Sequence, residues 1–200
     1  MSTNRLESFS DGVLAVAITL LVLNITVPPT PGDLGHELGT NWPAYAAYVT
    51  SFLTIGIIWI NHHVMIGRLR ETDYAILILN LLLLMTVAVI PFATSLLATY
   101  LRERHGNHLA AAVYGGVLVS MAITFTLLNH QILFRKHHLL TSELPLERRR
   151  QIFARSFTGL IPYVVATALA PVSAYLTLGI SAAMAAFYAL PIASGLDQPE

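Results

Sequence analysis

Four stretches of this chain are apolar for long enough to cross a hydrocarbon core about 30 Å thick, which takes about 20 helical residues. They run from about Phe9 to Val27, Ala44 to Met65, Tyr74 to Tyr100 and Leu109 to Phe134. A fifth, Phe157 to Ile192, is too long for one span and divides near Pro171 into two shorter ones. Lipid offers the backbone no hydrogen-bond partners, so spans that are not barrel strands must be helices. The predicted fold class is therefore all-α, a polytopic membrane protein with six transmembrane helices. Residues 1–200 are read as a single membrane domain without internal repeats. Composition agrees: 55% of residues are hydrophobic and 11% charged, against about 25% charged in a soluble domain. So few charges do not cover a water-facing surface.

Charge placement orients the bundle, because cytoplasmic loops collect Lys and Arg. With the N-terminus inside, Arg5, Arg68, Arg70, Arg135, Lys136, Arg148, Arg149, Arg150 and Arg155 are cytoplasmic, and only Arg102 and Arg104 lie outside. Six spans then place both termini in the cytoplasm. The loop from Pro28 to Pro43 carries Asp33 and Glu37 but no Lys or Arg, as expected outside. The segment from His137 to Arg155 is expected to be the only sizeable soluble piece. The opening MSTNRLESFSDG has no basic n-region and leads into a long span, so no cleaved signal is expected.

Several function classes are left without support. Acidic and basic residues balance at 11 each, so no net charge points to nucleic acid. Cysteine is absent, which excludes disulfides, thiol catalysis and Cys-ligated metals. The pairs His62-His63 and His137-His138 are helical neighbours about 100° apart, a poor arrangement for chelation, and no HxxxH or HExxH spacing occurs. No metal site, cofactor or enzyme chemistry is expected.

Polar residues inside a membrane are costly, and each is a candidate for function or for locking helices together. Asp11 lies at the inner end of the first span. Glu7 stands four residues earlier, a mildly unfavourable like-charge pair, so a partner for Asp11 is expected on another helix. At the same depth lie the end of the second span, Trp59-Ile-Asn61-His62-His63, and Asn80 of the third. The expectation is one polar cluster joining Asp11 and Ser10 to His62 or His63 and to Asn80, either as a structural lock or as a proton relay. On a helical wheel Val16, Leu20, Leu23 and Val27 form a narrow aliphatic stripe with Thr19 beside it and Asp11 nearly opposite. By pattern alone the stripe is a packing or lipid-facing surface as readily as a functional one. Gly12, Ala15 and Ala17 permit close packing. Channel, proton-coupled secondary transporter and non-transporting scaffold all remain open on these residues.

The run Arg5-x-x-x-Phe9-Ser10-Asp11-Gly12, followed by an aliphatic helix, resembles the RxxxFSD signature of the transmembrane protein 175 family. That family comprises lysosomal potassium channels and their bacterial homologues. Six spans, the Trp59-x-x-His62-His63 ending and a length of 200 residues fit a single-repeat bacterial member. The resemblance implies a potassium-permeable, potassium-selective channel, a homotetramer in a bilayer with the first helix of each subunit lining one central pore. It implies that Arg5, Ser10 and Asp11 join a polar network with the second and third helices. Val16, Leu20 and Leu23 would form the hydrophobic constriction, with Thr19 as a hydroxyl layer beside them. The first constriction position is usually Ile or Leu; with Val16 here, the tightest ring is expected at Leu20 or Leu23. Potassium is the expected permeant ion, no cofactor is implied, and the single-repeat size implies a prokaryotic cell (inner) membrane. No TVGYG-like filter is present.

Overall fold

A computed structural model of the protein describes residues 3–26 and 33–189. Among these it is helical throughout, apart from one isolated β-bridge. The helices are α1 (Thr3–Leu20), α2 (Leu34–Thr40), α3 (Trp42–Gly67), α4 (Tyr74–Ala88), α5 (Ile90–Tyr100), α6 (Asn107–His130), α7 (Leu146–Ala168) and α8 (Ala174–Ala189). A 3₁₀ turn, Leu21–Asn24, extends α1, and a π turn, Gln131–Arg135, extends α6. Four helical stretches are long and apolar enough to cross a membrane: Thr3–Asn24, Trp42–Gly67, Tyr74–Tyr100 and Asn107–Arg135.

These four match the four single runs of the sequence with small shifts that have one cause. Hydropathy marks the part of a helix that lipid tolerates, whereas the helix continues into water wherever its residues permit. Thus α1 begins at Thr3 rather than Phe9, carrying Arg5 and Glu7 on its first turns. Val27, expected at the far end of the aliphatic stripe, lies outside the described residues. The division near Pro171 is present: α7 stops at Ala168 and α8 starts at Ala174. The segment from His137 to Arg155, expected to be a soluble loop, is helical from Leu146 onward. Arg148, Arg149, Arg150 and Arg155 are therefore helical residues.

The Tyr74–Tyr100 stretch breaks at Val89 between α4 and α5. Pro91 explains the break, since it has no N–H to continue the ladder and its ring crowds the preceding turn. Elsewhere helices meet closely. A Cβ on Gly115 of α6 would strike the Thr167 hydroxyl and lie 3.1 Å from the Thr167 Cα of α7. Glycine here sets the α6–α7 distance.

In lipid, burying an apolar side chain gains little, so packing and interhelical hydrogen bonds decide how helices associate. Hydroxyls supply such bonds in the core. Ser51 of α3 bonds Thr94 of α5 (2.8 Å) and Tyr114 of α6 (3.1 Å), all three buried. The loop after α3 and the loop before α7 are also tied together. Leu69 and Leu140 form the antiparallel bridge. The Arg70 N–H donates to Leu139 O and the Thr141 N–H to Arg68 O, both at 2.8 Å. The Lys136 ammonium lies 2.7 Å from the Asp73 carboxylate, which also caps α4 by accepting from the Ile76 N–H at 2.9 Å.

Candidate functional site

The first helix has two faces with different fates. Leu6, Ser10, Leu14, Ala17 and Leu21 recur every three or four residues and are buried against the rest of the subunit. Val16, Leu20 and Leu23 project from the other side, 56%, 43% and 71% exposed, with Thr19 exposed beside them. A wide apolar surface left uncovered on a helix whose opposite side is firmly held faces either lipid or other subunits. An open groove of about 500 Å³ runs along it, lined by Phe9, Gly12, Val13, Val16, Leu20 and, across from α1, Ala88 among others.

The 3₁₀ turn changes the spacing at the C-terminal end of this face. Side chains three residues apart eclipse one another in a 3₁₀ helix. Leu20, with φ −64° and ψ −23°, enters that turn as its N-cap, and Leu23 lies within it. Leu23 therefore stacks over Leu20 instead of drifting around the helix. The Thr19 hydroxyl donates to Val16 O at 2.9 Å, which leaves its oxygen lone pairs facing outward.

Three polar contacts hold the N-terminal half of α1. The buried one is a relay of Ser10, Asn80 and His62. Ser10 Oγ donates to Leu6 O at 2.8 Å and accepts from Asn80 Nδ2 at 3.0 Å. Asn80 Oδ1, an acceptor only, lies 2.7 Å from His62 Nε2, which fixes the proton on that ring nitrogen. His62 Nδ1 is buried with no partner. The other two contacts are nearer the surface. Trp59 Nε1 donates to Asp11 Oδ1 at 2.9 Å, and His63 Nδ1 lies 2.7 Å from Glu7 Oε1. The expected single cluster is thus resolved into separate contacts. Asp11 is bonded to Trp59 and not to His62 or Asn80, because about 100° of helix rotation separates it from Ser10. Arg5 is exposed and forms no ion pair with the described residues. On the α1 wheel it falls on the side of Val16, away from Ser10.

Two anchors of α1 were not singled out from the sequence. Glu7 was read only as a like charge for Asp11, yet its position on the same face also brings it to His63. Beyond the C-terminal end of α1, Asn24 Nδ2 donates to Pro91 O at 3.0 Å. An asparagine inside the aliphatic run LLVLNITV was the signal for this contact. Among the described residues no group of three or more His, Asp or Glu could hold a metal ion.

These features define a polytopic membrane protein in which one helix is clamped at both ends and presents an aliphatic side outward. A sequence model of the family described as the endosomal/lysosomal potassium channel TMEM175 matches residues 5–91, the part containing the clamp. A protein of Streptomyces collinus named as a potassium channel is 47% identical over 93% of this chain and 91% of its own length. Another of that name from Chamaesiphon minutus is 40% identical over 94% of each chain. The crystal structure of a TMEM175 homologue from Chamaesiphon minutus, described as a potassium-selective channel, superposes with a TM-score of 0.81 at 37% identity. That match covers 94% of this chain and 96% of the other. The chain belongs to the TMEM175 family.

Proposed function

We propose that this chain is one subunit of a potassium-permeable channel, a homotetramer in a prokaryotic cell (inner) membrane. The observation that carries the reading is the outward aliphatic side of α1, Val16, Leu20 and Leu23, on a helix whose other face is locked to its own subunit. One such helix encloses nothing. Four copies around an axis bring these side chains together as rings. Gly12 suits this arrangement, since a Cβ there would meet nothing within 4 Å in its own subunit.

The rings form a narrow neck that water fills poorly, and such a neck gates by dewetting and conducts when widened. An ion crossing it sheds part of its hydration shell. Potassium holds its water less tightly than sodium, so sodium is penalised more. Because Leu23 eclipses Leu20, these two make a double layer and the tightest part of the neck, with Val16 wider. Thr19 oxygens replace some of the lost water. Selectivity of this kind is modest. The remaining helices act as scaffold: α7 and α8 complete six spans, and the excess of basic residues on one side places both termini in the cytoplasm.

The test is potassium flux into liposomes containing the purified protein, with sodium as the comparison ion. Flux that favours potassium and changes in Leu20 or Leu23 variants supports the reading. No flux at any potential or pH, from protein shown to be folded, removes it.

A further inference from the structure

Where α3 and α8 begin, the bundle has a hollow of about 440 Å³ with no residue of α1 in its wall; it is lined by Gly35, His36, Gly39, Trp42, Arg102 and Tyr175 among others. Trp42 opens α3, a stretch long and apolar enough to cross a membrane, and Tyr175 is the second residue of α8. Their rings stack with centroids 6.2 Å apart and planes inclined by 20°, and both remain exposed. Amphipathic aromatic rings settle at the level of lipid headgroups, where one end is apolar and the other wet. The stack marks that level on this side of the bundle, and the hollow lies at it.

Arg102, just beyond α5, is the cation of the hollow. Its Nη1 donates to Thr40 O at 3.0 Å, which ties the guanidinium to the last residue of α2. A guanidinium has about five N–H donors in a fixed fork, so most of them stay available. Among the described residues no carboxylate forms an ion pair with Arg102. Asp33 turns to α2 instead, accepting from the Gly35 and His36 N–H groups at 3.0 and 3.3 Å, and neither Glu37 nor Glu103 lines the hollow. Beside the cation the wall is open. Gly35 and Gly39 stand one above the other on α2. A Cβ on Gly39 would meet nothing within 4 Å, and one on Gly35 only Asp33 Oδ1 at 3.4 Å. Next to them in the chain, Leu34 and Leu38 form an exposed apolar row, and Val172 and Leu176 are exposed on either side of Tyr175 in the chain. A fixed cation and uncovered apolar surface thus meet at the headgroup level.

We propose that this hollow seats the headgroup of a membrane phospholipid, with the Arg102 fork on the phosphate diester. His36 adds an imidazole N–H, the two glycines leave room for the glycerol, and the acyl chains follow the apolar surface of Leu38 and Leu176. A free phosphate would meet the cation but not the apolar rows, so the lipid uses more of the site.

The full chain, delipidated in detergent, is titrated with phosphatidylglycerol or with diacylglycerol of the same acyl chains, and bound lipid is counted by native mass spectrometry. Phosphatidylglycerol is expected to bind at the lower concentration, since diacylglycerol offers the same tails without the phosphate. Arg102→Gln is expected to raise its half-saturating concentration about tenfold, the size of one lost charge-assisted hydrogen bond. Gly39→Leu leaves Arg102 and its bond to Thr40 in place but fills the hollow, and is expected to weaken binding at least as much. Arg104→Gln removes a charge that does not line the hollow, and is expected to change nothing. Equal binding of the two lipids overturns the proposal, as does equal phosphatidylglycerol binding by unmodified protein, Arg102→Gln and Gly39→Leu. A loss in Arg104→Gln as large as in Arg102→Gln overturns it too, since net charge alone then accounts for the binding.

Discussion

The Asn24 amide donates to the Pro91 carbonyl at 3.0 Å, joining the C-terminal end of the first span to the kink between α4 and α5. Asn80 of α4 holds Ser10 in the N-terminal half of that span. The same broken span therefore grips α1 twice, once near each end, and the aliphatic residues Val16, Leu20 and Leu23 lie between the grips. A change at either grip alters how these residues are presented without touching them.

Asn80→Ala removes an acceptor from His62 and a donor from Ser10, both buried. Leaving buried polar groups unpaired costs about 1–3 kcal/mol each. The expected result is a clear fall in the Tm of the assembled protein, larger than for Trp59→Phe, which breaks only the half-exposed bond to Asp11. Equal losses in the two variants would show that the buried relay has no special weight.

Asp11→Ala is expected to impair assembly more than permeation, since its contact joins α1 to α3. Size-exclusion profiles and liposome flux measured on the same preparation separate the two. A well-assembled variant with altered ion preference contradicts the structural role.

Leu20→Ala and Leu23→Ala each remove side-chain volume from the outward face of α1 and are expected to raise flux or lower the preference for potassium over sodium. Because the two residues eclipse, the double variant is expected to exceed either single one. Unchanged conductance and selectivity in both single variants would take them out of the pore.

Asp73 carries a pH dependence whose sign follows from its surroundings. Burial acts to raise its pKa, but the Lys136 ammonium and the Ile76 N–H outweigh this and hold the carboxyl below its usual range. A depressed folded-state pKa contributes stability above the unfolded value of about 3.9, and that contribution is lost as pH falls through the folded one. Asp73→Asn keeps a capping side chain but loses the charge. It is expected to be less stable than the unmodified protein at pH 7, with the gap closing below about pH 4. Thermal unfolding across that range checks it.

Gly115→Ala is expected to destabilise by about 1–3 kcal/mol, the usual cost of forcing an added group into a packed interface, because the Thr167 backbone stands in the way. Gly12→Ala meets no such obstacle within the subunit. Its effect on Tm is expected to be small for a separated subunit and larger for the assembled form if four α1 helices converge there.

Much of this architecture is written in one-dimensional pattern. The length of each apolar run marks the four membrane-crossing stretches, because the bilayer imposes a minimum span that local composition either meets or does not. Pro171 marks the α7–α8 break, since proline lacks the N–H that continues a helix, although α7 carries Pro162 without stopping. The wheel separates Val16, Leu20 and Leu23 from the Ser10 side, because helical geometry is local. Partners are another matter. Ser10 and Asp11 are adjacent in the chain, yet one meets Asn80 and the other Trp59. Asn24 reaches Pro91 across 67 positions. Depth in the membrane narrows these choices to a level, but the rotation of each helix about its axis picks the partner, and that rotation is set by contacts among all the helices at once.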